Sequence, residues 1–358
     1  MNAAPQNNEP TNHRVQGLDS IRFVCALWVL FRHSGGPFPG GNSAAENLVQ
    51  SAFMGLISGQ AAVIVFFVIS GFCIHYPFRH GRVVDLPSFY SRRLVRIALP
   101  VLAMFAAGYP LGFRLPQGGL QQTVLWSIVA EVIYYILYPI VLLPLSKRFN
   151  WTILQIASFG ITFLLLLVSL FSKSYVNNGN YIDFGIGWTW LLGLPCWILG
   201  CVLASRSDVF LMTPKPRISV WAWRFGAIVL SASANLLRWH NPLGFSISYT
   251  WSLTLFSIYV YFWLANEIIY YKTAKPNAFL ESAGLWSYSL YLFHVPSLMF
   301  LYKAVQTYSA NQGGAIWLTK IALVLLFSFV FYKLFEAPSQ QLATWIGKKL
   351  SPKPTVTA

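Results

Sequence analysis

Two ionisable residues stand out in the first apolar run of the chain. Arg22 and His33 lie in the segment LDSIRFVCALWVLFRHSGG, 11 residues apart. At about 100° per residue this spacing returns to nearly the same helical face, with about 16 Å between the two positions along the axis. The spacing therefore predicts one polar stripe with Arg22 near one end and His33 near the other. The alternative is structural: Arg22 extends to the membrane surface and His33 caps the helix end.

A carboxylate lies in a second apolar run, LWSIVAEVIYYILYP. Glu131 is about eight residues inside the predicted helix, roughly 12 Å from its end. A carboxylate at that depth needs a partner or a proton. His33 enters from the same side at similar depth, so we expect a His33–Glu131 pair that orients the imidazole and raises its basicity. The alternative is a neutral Glu131 that is hydrogen-bonded to a neighbouring helix.

Three arginines cluster in the segment FYSRRLVRIALP. Arg93 and Arg96 share a helical face, and Arg92 lies alongside. Several guanidinium groups at a membrane surface are suited to a phosphate-bearing ligand. The alternative is that they are ordinary basic residues of a cytoplasmic loop.

Three further positions have both a functional and a structural interpretation. Ser70 and Gly71 place small residues in an apolar helix, where they permit close approach of either a ligand or another helix. His294 lies deep in SYSLYLFHVP and suits either catalysis or a structural hydrogen bond. We expect Glu336, before Pro338, to reach the surface from a helix end.

The composition determines the protein class. Of 358 residues, 56% are hydrophobic and only 10% are charged, far below the norm for soluble proteins. The net charge of +15 comes largely from basic residues in short loops, so it indicates membrane topology and excludes nucleic acid as the expected partner. The four cysteines lie in apolar runs without metal-ligand spacing, so no metal site is expected.

The apolar runs predict an all-α integral membrane protein with about ten transmembrane helices in one bundle. The predicted helices span residues 18–36, 52–75, 94–108, 123–145, 151–171, 184–204, 219–237, 247–266, 281–302 and 314–335. With both termini in the cytoplasm, 16 Lys and Arg residues lie in inside segments and four in outside segments. The expected organisation is a polar N-terminal tail (1–16), a membrane domain (17–340) and a basic C-terminal tail (341–358), with no cleavable signal peptide.

Five segments, in order, resemble motifs of the bacterial membrane acyltransferase-3 family, from about Gly17 to Pro338. They are LDSIR with FRHSG, FFVISGF, FYSRRLVRIALP, LWSIVAEVIYY and SYSLYLFHVP. The family includes O-antigen and exopolysaccharide O-acetylases. Where members usually read LDGLRG this chain reads LDSIRF, so both glycines are replaced. Some members carry a fused C-terminal hydrolase-like domain, which we do not expect here.

The resemblance implies a set of site residues. The catalytic residues would be His33 and Glu131, and acyl-CoA would be bound by Arg22, Ser70, Gly71, Phe72, Arg92, Arg93 and Arg96. Additional site residues expected within the motifs are Asp19, Trp126, Ser127 and His294.

The resemblance also implies a function. The family transfers an acyl group, commonly acetyl from acetyl-CoA, to a hydroxyl of a cell-surface or lipid-linked glycan, and such an enzyme would lie in the bacterial inner membrane. His33 would act as the general base, or in a variant as a covalent acyl carrier. Two other classes stay open: a proton-coupled transporter of an anion or sugar, and a purely structural membrane subunit. The sequence leaves the acceptor sugar, the acyl chain and the oligomeric state undetermined.

Overall fold

A computed structural model describes residues 15–116, 119–171, 179–214, 216–239, 247–308 and 313–351. These residues form fourteen α-helices and no strand, which confirms the all-helical class. The helices are α1 (Leu18–His33), α2 (Ala44–Leu56), α3 (Gly59–His75), α4 (Leu86–Gly108), α5 (Leu125–Leu137), α6 (Leu143–Leu170), α7 (Ile186–Ser205), α8 (Ser207–Met212), α9 (Val220–Trp239), α10 (Tyr249–Tyr270), α11 (Ala278–Gly284), α12 (Ser287–Tyr308), α13 (Gly314–Phe331) and α14 (Ala337–Leu350).

Six segments of the described chain are long and apolar enough to cross a membrane. They are Ala44–Phe78, Leu125–Leu170, Gly187–Ser205, Val220–Arg238, Tyr249–Tyr270 and Gly314–Leu350. Each of the ten predicted helices overlaps an observed helix, but α1, α4 and α12 lie outside these six segments. The chain is therefore a helical protein with several apolar spans, while the count of ten crossings and the cytoplasmic location of the termini stay predictions.

The N-terminus of α1 is held by a distant carboxylate. Gly17 precedes the helix with φ 85°, and no local side chain caps it. Glu281 on α11 instead accepts hydrogen bonds from the backbone N–H groups of Gly17 and Ser20, both 3.1 Å, and from Ser20 Oγ at 2.6 Å. A carboxylate at a helix N-terminus satisfies free N–H groups and complements the helix dipole. This contact fixes the start of the helix that carries both Arg22 and His33.

Helices α3 and α7 pack with their backbones almost touching. A Cβ atom at Gly71 would lie 2.0 Å from the carbonyl oxygen of Trp197, and one at Gly200 would lie 2.0 Å from the carbonyl oxygen of Val68. Only glycine fits at such a crossing. The packing interpretation of Gly71 thus agrees with the structure.

Helix α6 contains the expected break between two predicted helices. Asn150 has φ 58° and ψ 163° inside α6, and its Oδ1 accepts a hydrogen bond from the backbone N–H of Ile153 at 3.0 Å. An asparagine that caps the following turn explains why the chain changes direction between residues 145 and 151.

The C-terminal part differs from the sequence expectation. The predicted start of a tail at residue 341 falls inside α14, which packs against α4 and donates a 3.1 Å hydrogen bond from Ser339 Oγ to the carbonyl of Val95. Residues 1–14 and 352–358 of the two predicted tails lie outside the described residues.

Glu336 also differs from the sequence expectation, because it is fully buried rather than at the surface. It ends a π-helical segment (Tyr332–Glu336), and its carboxylate accepts hydrogen bonds from Ser289 and Gln340. These donors compensate for the burial of the charge, so the residue need not extend to the surface.

Candidate functional site

A cavity of about 480 Å³ lies between α1, α3, α4, α5 and α12, and we call it the arginine cavity. Eight of the residues expected at the site line it: Asp19, Arg22, Ser70, Phe72, Arg93, Arg96, Ser127 and Glu131. Its walls also include Tyr135, Tyr288 and Tyr291. Residues from all five sequence motifs therefore meet at one concave site, and the fifth motif, SYSLYLFHVP, contributes Tyr288 and Tyr291.

The three guanidinium groups of the cavity come from two helices. Arg22 on α1 lies 3.5 Å from Asp19, one turn before it, so that carboxylate partly balances its charge. Arg93 on α4 lies over the ring of Tyr135, 6.0 Å from its centroid. With Arg96 on the same helix face, the cavity presents three cations to any ligand that enters it.

Arg92 points away from this cavity. Its side chain is exposed and lies against Gly347 of α14, where a Cβ atom would be 2.4 Å from Arg92 Nε. Adjacent residues on a helix differ by about 100° in direction, so Arg92 and Arg93 cannot both face the same cavity. The structure thus keeps two of the three expected arginines of α4 together and separates the third.

Glu131 forms a network with α3 and with its own helix. Its Oε1 accepts hydrogen bonds from Ser70 Oγ at 2.6 Å and from Tyr135 Oη at 2.5 Å, and Trp197 Nε1 donates to Ser70 Oγ at 3.2 Å. No hydrogen bond joins Glu131 to His33, and both residues belong to the described chain. The predicted His33–Glu131 pair is therefore wrong, because the face of α5 that carries Glu131 is turned towards Ser70 and the arginine cavity.

The Ser70-Gly71-Phe72 motif has three different environments. Ser70 holds Glu131, and Phe72 lines the cavity and stacks on Tyr76 with ring centroids 5.0 Å apart. Gly71 faces Trp197 on α7. The structure thus places Gly71 at a helix crossing outside the cavity lining, where it positions its two neighbours.

A second cavity of about 360 Å³ contains His33, and we call it the histidine cavity. Trp126 lines it and stacks on Tyr181 with nearly parallel rings, 6.1 Å between centroids. Its polar walls include Gln60, Arg114, Thr123 and Asn180. The cavity therefore combines an exposed imidazole with hydrogen-bonding groups and an aromatic surface.

The hydrogen-bond partner of His33 on another helix is His294. Nε2 of His294 lies 3.2 Å from Nδ1 of His33, and the ring centroids are 5.0 Å apart. The same Nδ1 of His33 lies 2.9 Å from the carbonyl oxygen of Val29. Nδ1 of the fully buried His294 lies 2.7 Å from the carbonyl oxygen of Tyr291 and 3.2 Å from that of Leu290.

The two cavities share a wall. Val63 and Tyr291 line both of them. The hydroxyl of Tyr291 lies 2.7 Å from Ser127 Oγ, which lines the arginine cavity, and 2.9 Å from the carbonyl oxygen of Val124, which lines the histidine cavity. Tyr291 therefore lies at the boundary between the two cavities.

Comparison with known proteins identifies the family. The model of an acyltransferase domain, that of acyltransferase family 3, matches residues 15–333. The chain belongs to the acyltransferase-3 family. It is also similar, at 20% identity over 375 residues, to a protein of Staphylococcus aureus (strain COL) that is named "Putative O-acetyltransferase". The alignment covers 90% of this chain and 57% of that relative. No solved structure matches the chain.

The acyltransferase-3 resemblance named all the charged residues that line the arginine cavity but missed Tyr135 and Tyr291. Both have a signal in the sequence: Tyr135 lies one helical turn after Glu131, and Tyr291 lies one turn before His294. Aromatic residues are so frequent in this chain that spacing alone did not distinguish these two. Among the described residues of this acyltransferase, no group of three or more His, Cys, Asp or Glu side chains is arranged to hold a metal ion.

Proposed function

We propose that this acyltransferase is an O-acyltransferase of the bacterial inner membrane, which moves an acetyl group from cytoplasmic acetyl-CoA to a hydroxyl of a cell-surface or lipid-linked glycan. The observation that supports this most is the pair of adjoining cavities, one lined by Arg22, Arg93 and Arg96 and the other by His33. Arg22 and His33 lie on the same helix, so α1 connects a site suited to an anion with a site suited to proton transfer.

The arginine cavity is the proposed donor site. Coenzyme A carries its negative charge on phosphate groups at one end and its thioester at the other. Guanidinium groups form charge-assisted, often bidentate hydrogen bonds with phosphate. With the phosphates at Arg22, Arg93 and Arg96, the uncharged arm would extend towards Tyr291 and bring the thioester to the shared wall.

The histidine cavity is the proposed acceptor site. In the proposed reaction His33 removes the proton of the acceptor hydroxyl, and the oxygen attacks the thioester carbonyl. The carbon–sulfur bond breaks, and the departing thiolate takes the proton from His33, so coenzyme A leaves as a free thiol and histidine is regenerated. The given name of the Staphylococcus aureus relative supports an O-acetyl product.

The first experiment measures acyl transfer directly. Protein in nanodiscs receives [14C]acetyl-CoA and a glycan fraction extracted from the source membranes. We expect label to move into glycan with wild type and with His80→Ala, an exposed surface histidine, but not with His33→Ala. Full transfer by a folded His33→Ala protein would refute the proposed role of His33. Solute flux without acetyl-CoA consumption would instead support a transporter.

A second readout tests the donor site without turnover. Cys73 lines the arginine cavity, whereas Cys25, Cys196 and Cys201 are buried in the protein. We expect coenzyme A to protect Cys73 from N-ethylmaleimide, and we expect S-acetylpantetheine, which lacks the phosphates, to protect it much less. Equal protection by both compounds would contradict a phosphate site at the arginines.

A further inference from the structure

We propose that His294 is a positioning residue, which holds His33 in the tautomer whose Nε2 is free to act as the base. This inference rests on the proposed function of His33 and adds to it the group that prepares the base. The sequence suggested a carboxylate, Glu131, for this position, and the structure has a second imidazole there instead.

The proton positions follow from the acceptors around each nitrogen. Nδ1 of His294 lies 2.7 Å from the carbonyl oxygen of Tyr291 and 3.2 Å from that of Leu290. Carbonyl oxygens only accept hydrogen bonds, so this Nδ1 carries a hydrogen. In a neutral imidazole the other nitrogen then has a lone pair, so Nε2 of His294 is an acceptor.

The same argument applies to His33. Its Nδ1 lies 3.2 Å from the Nε2 of His294 and 2.9 Å from the carbonyl oxygen of Val29. Both neighbours are acceptors, so Nδ1 of His33 carries the hydrogen and donates it. The lone pair of neutral His33 therefore lies on Nε2, on the side of the ring opposite to His294.

The pair also stabilises His33 after it takes a proton. The imidazolium then donates a charge-assisted hydrogen bond through Nδ1 to the neutral acceptor of His294. Within the described part of the chain, the charge that acts on His33 is that of Arg32, next in the sequence, and Arg114 lies on the cavity wall; both are positive. The neutral acceptor on the fully buried His294 and the carbonyl oxygen of Val29 are the compensating contacts, and His294 itself neither gains nor loses a proton in the reaction.

The test separates a positioning role from a structural one. His294→Phe keeps an aromatic ring but removes the acceptor, and we expect kcat for acetyl transfer to fall about 100-fold with KM for acetyl-CoA within twofold. His294→Gln places an amide oxygen near the position of Nε2. Its kcat should be at least tenfold higher than that of His294→Phe. The two histidines act as one unit. Adding His294→Phe to His33→Ala should therefore not lower the residual rate of acetyl transfer below that of His33→Ala alone.

A readout that needs no turnover completes the test. With 15N-labelled histidine in nanodiscs, and His33→Asn to assign the signal, wild type should show His33 protonated at Nδ1 and bare at Nε2. His294→Phe removes one of the two acceptors at Nδ1 of His33 and keeps the carbonyl oxygen of Val29, so the tautomer protonated at Nε2 should become populated beside the wild-type one. A wild-type His33 protonated at Nε2, or a His294→Phe protein with more than half of the wild-type kcat, would overturn the proposal. Full transfer by His33→Ala would refute the proposed role of His33 as the base, while the tautomer measurement would still decide the positioning of His33.

Discussion

The hydroxyl of Ser70 donates a 2.6 Å hydrogen bond to the carboxylate of Glu131, across the interface of α3 and α5. This contact assigns Glu131 to the arginine cavity, and it joins two family motifs that are 61 residues apart. Tyr135 donates to the same oxygen, so two hydroxyl groups depend on one acceptor. The carboxylate therefore organises the wall of the arginine cavity rather than the imidazole of His33.

A change at Glu131 should affect the proposed donor site and leave the hydrogen bond between His33 and His294 intact. Glu131→Ala removes the acceptor of two hydroxyl groups, which costs about 1–3 kcal/mol of stability. We expect a lower melting temperature in detergent and a changed KM for acetyl-CoA. The 15N signals of His33 should stay as in wild type. If His33 were no longer protonated at Nδ1 in Glu131→Ala, the carboxylate would orient the imidazole after all.

Local spacing predicted one part of the site well and another part poorly. Arg22 and His33 share α1, so the helical repeat alone placed them at two ends of one stripe. The partner of His33 depends instead on how α12 packs on α1, a relationship between residues 261 apart in the chain. The direction of Glu131 depends in the same way on the rotation of α5 about its axis. No local pattern reports such a rotation. Glu131 also shares its cavity with Arg22, 11 residues before His33 on α1, so it does not lie at the level of His33 that the sequence suggested.

The three neighbouring arginines of α4 should behave differently when they are removed. Arg93 and Arg96 line the cavity, and a charge-assisted hydrogen bond is worth about 1.5–3 kcal/mol, so Arg93→Ala or Arg96→Ala should weaken acetyl-CoA binding about 10- to 100-fold. Arg92→Ala is the matched control, because this side chain lies against Gly347. Binding is measured by protection of Cys73 in nanodiscs. Equal losses in all three variants would mean that the basic surface acts only through its overall charge.

A methyl group at Gly71 should prevent correct packing of α3 on α7. Its Cβ atom would lie 2.0 Å from the backbone carbonyl oxygen of Trp197, so a helix must shift, and overpacking of this kind costs about 1–3 kcal/mol or more. We expect Gly71→Ala to reduce the yield of monodisperse protein and its melting temperature. Gly160→Ala in α6 is the control, because nothing lies within 4 Å of the added atom. A Gly71→Ala protein as stable as Gly160→Ala would contradict the close crossing.

Glu281 should control the activity of a site that it does not line. Its two oxygens hold the backbone N–H groups of Gly17 and Ser20, so Glu281→Ala frees the first turn of the helix that carries Arg22 and His33. Hydrogen bonds to a charged group are worth about 1.5–3 kcal/mol, so hydrogen exchange at the start of α1 should accelerate by at least tenfold. Glu281→Gln should behave similarly, because its NH2 group would face a backbone N–H.

Glu46→Ala is the control for this prediction. Glu46 accepts a hydrogen bond from the backbone N–H of Asn42 near the start of α2, so its removal should leave hydrogen exchange in α1 unchanged. If exchange accelerates while acyl transfer stays at the wild-type rate, the start of α1 does not need to be rigid for catalysis. If both change together, the distant carboxylate sets the position of the two residues on which the proposed reaction depends.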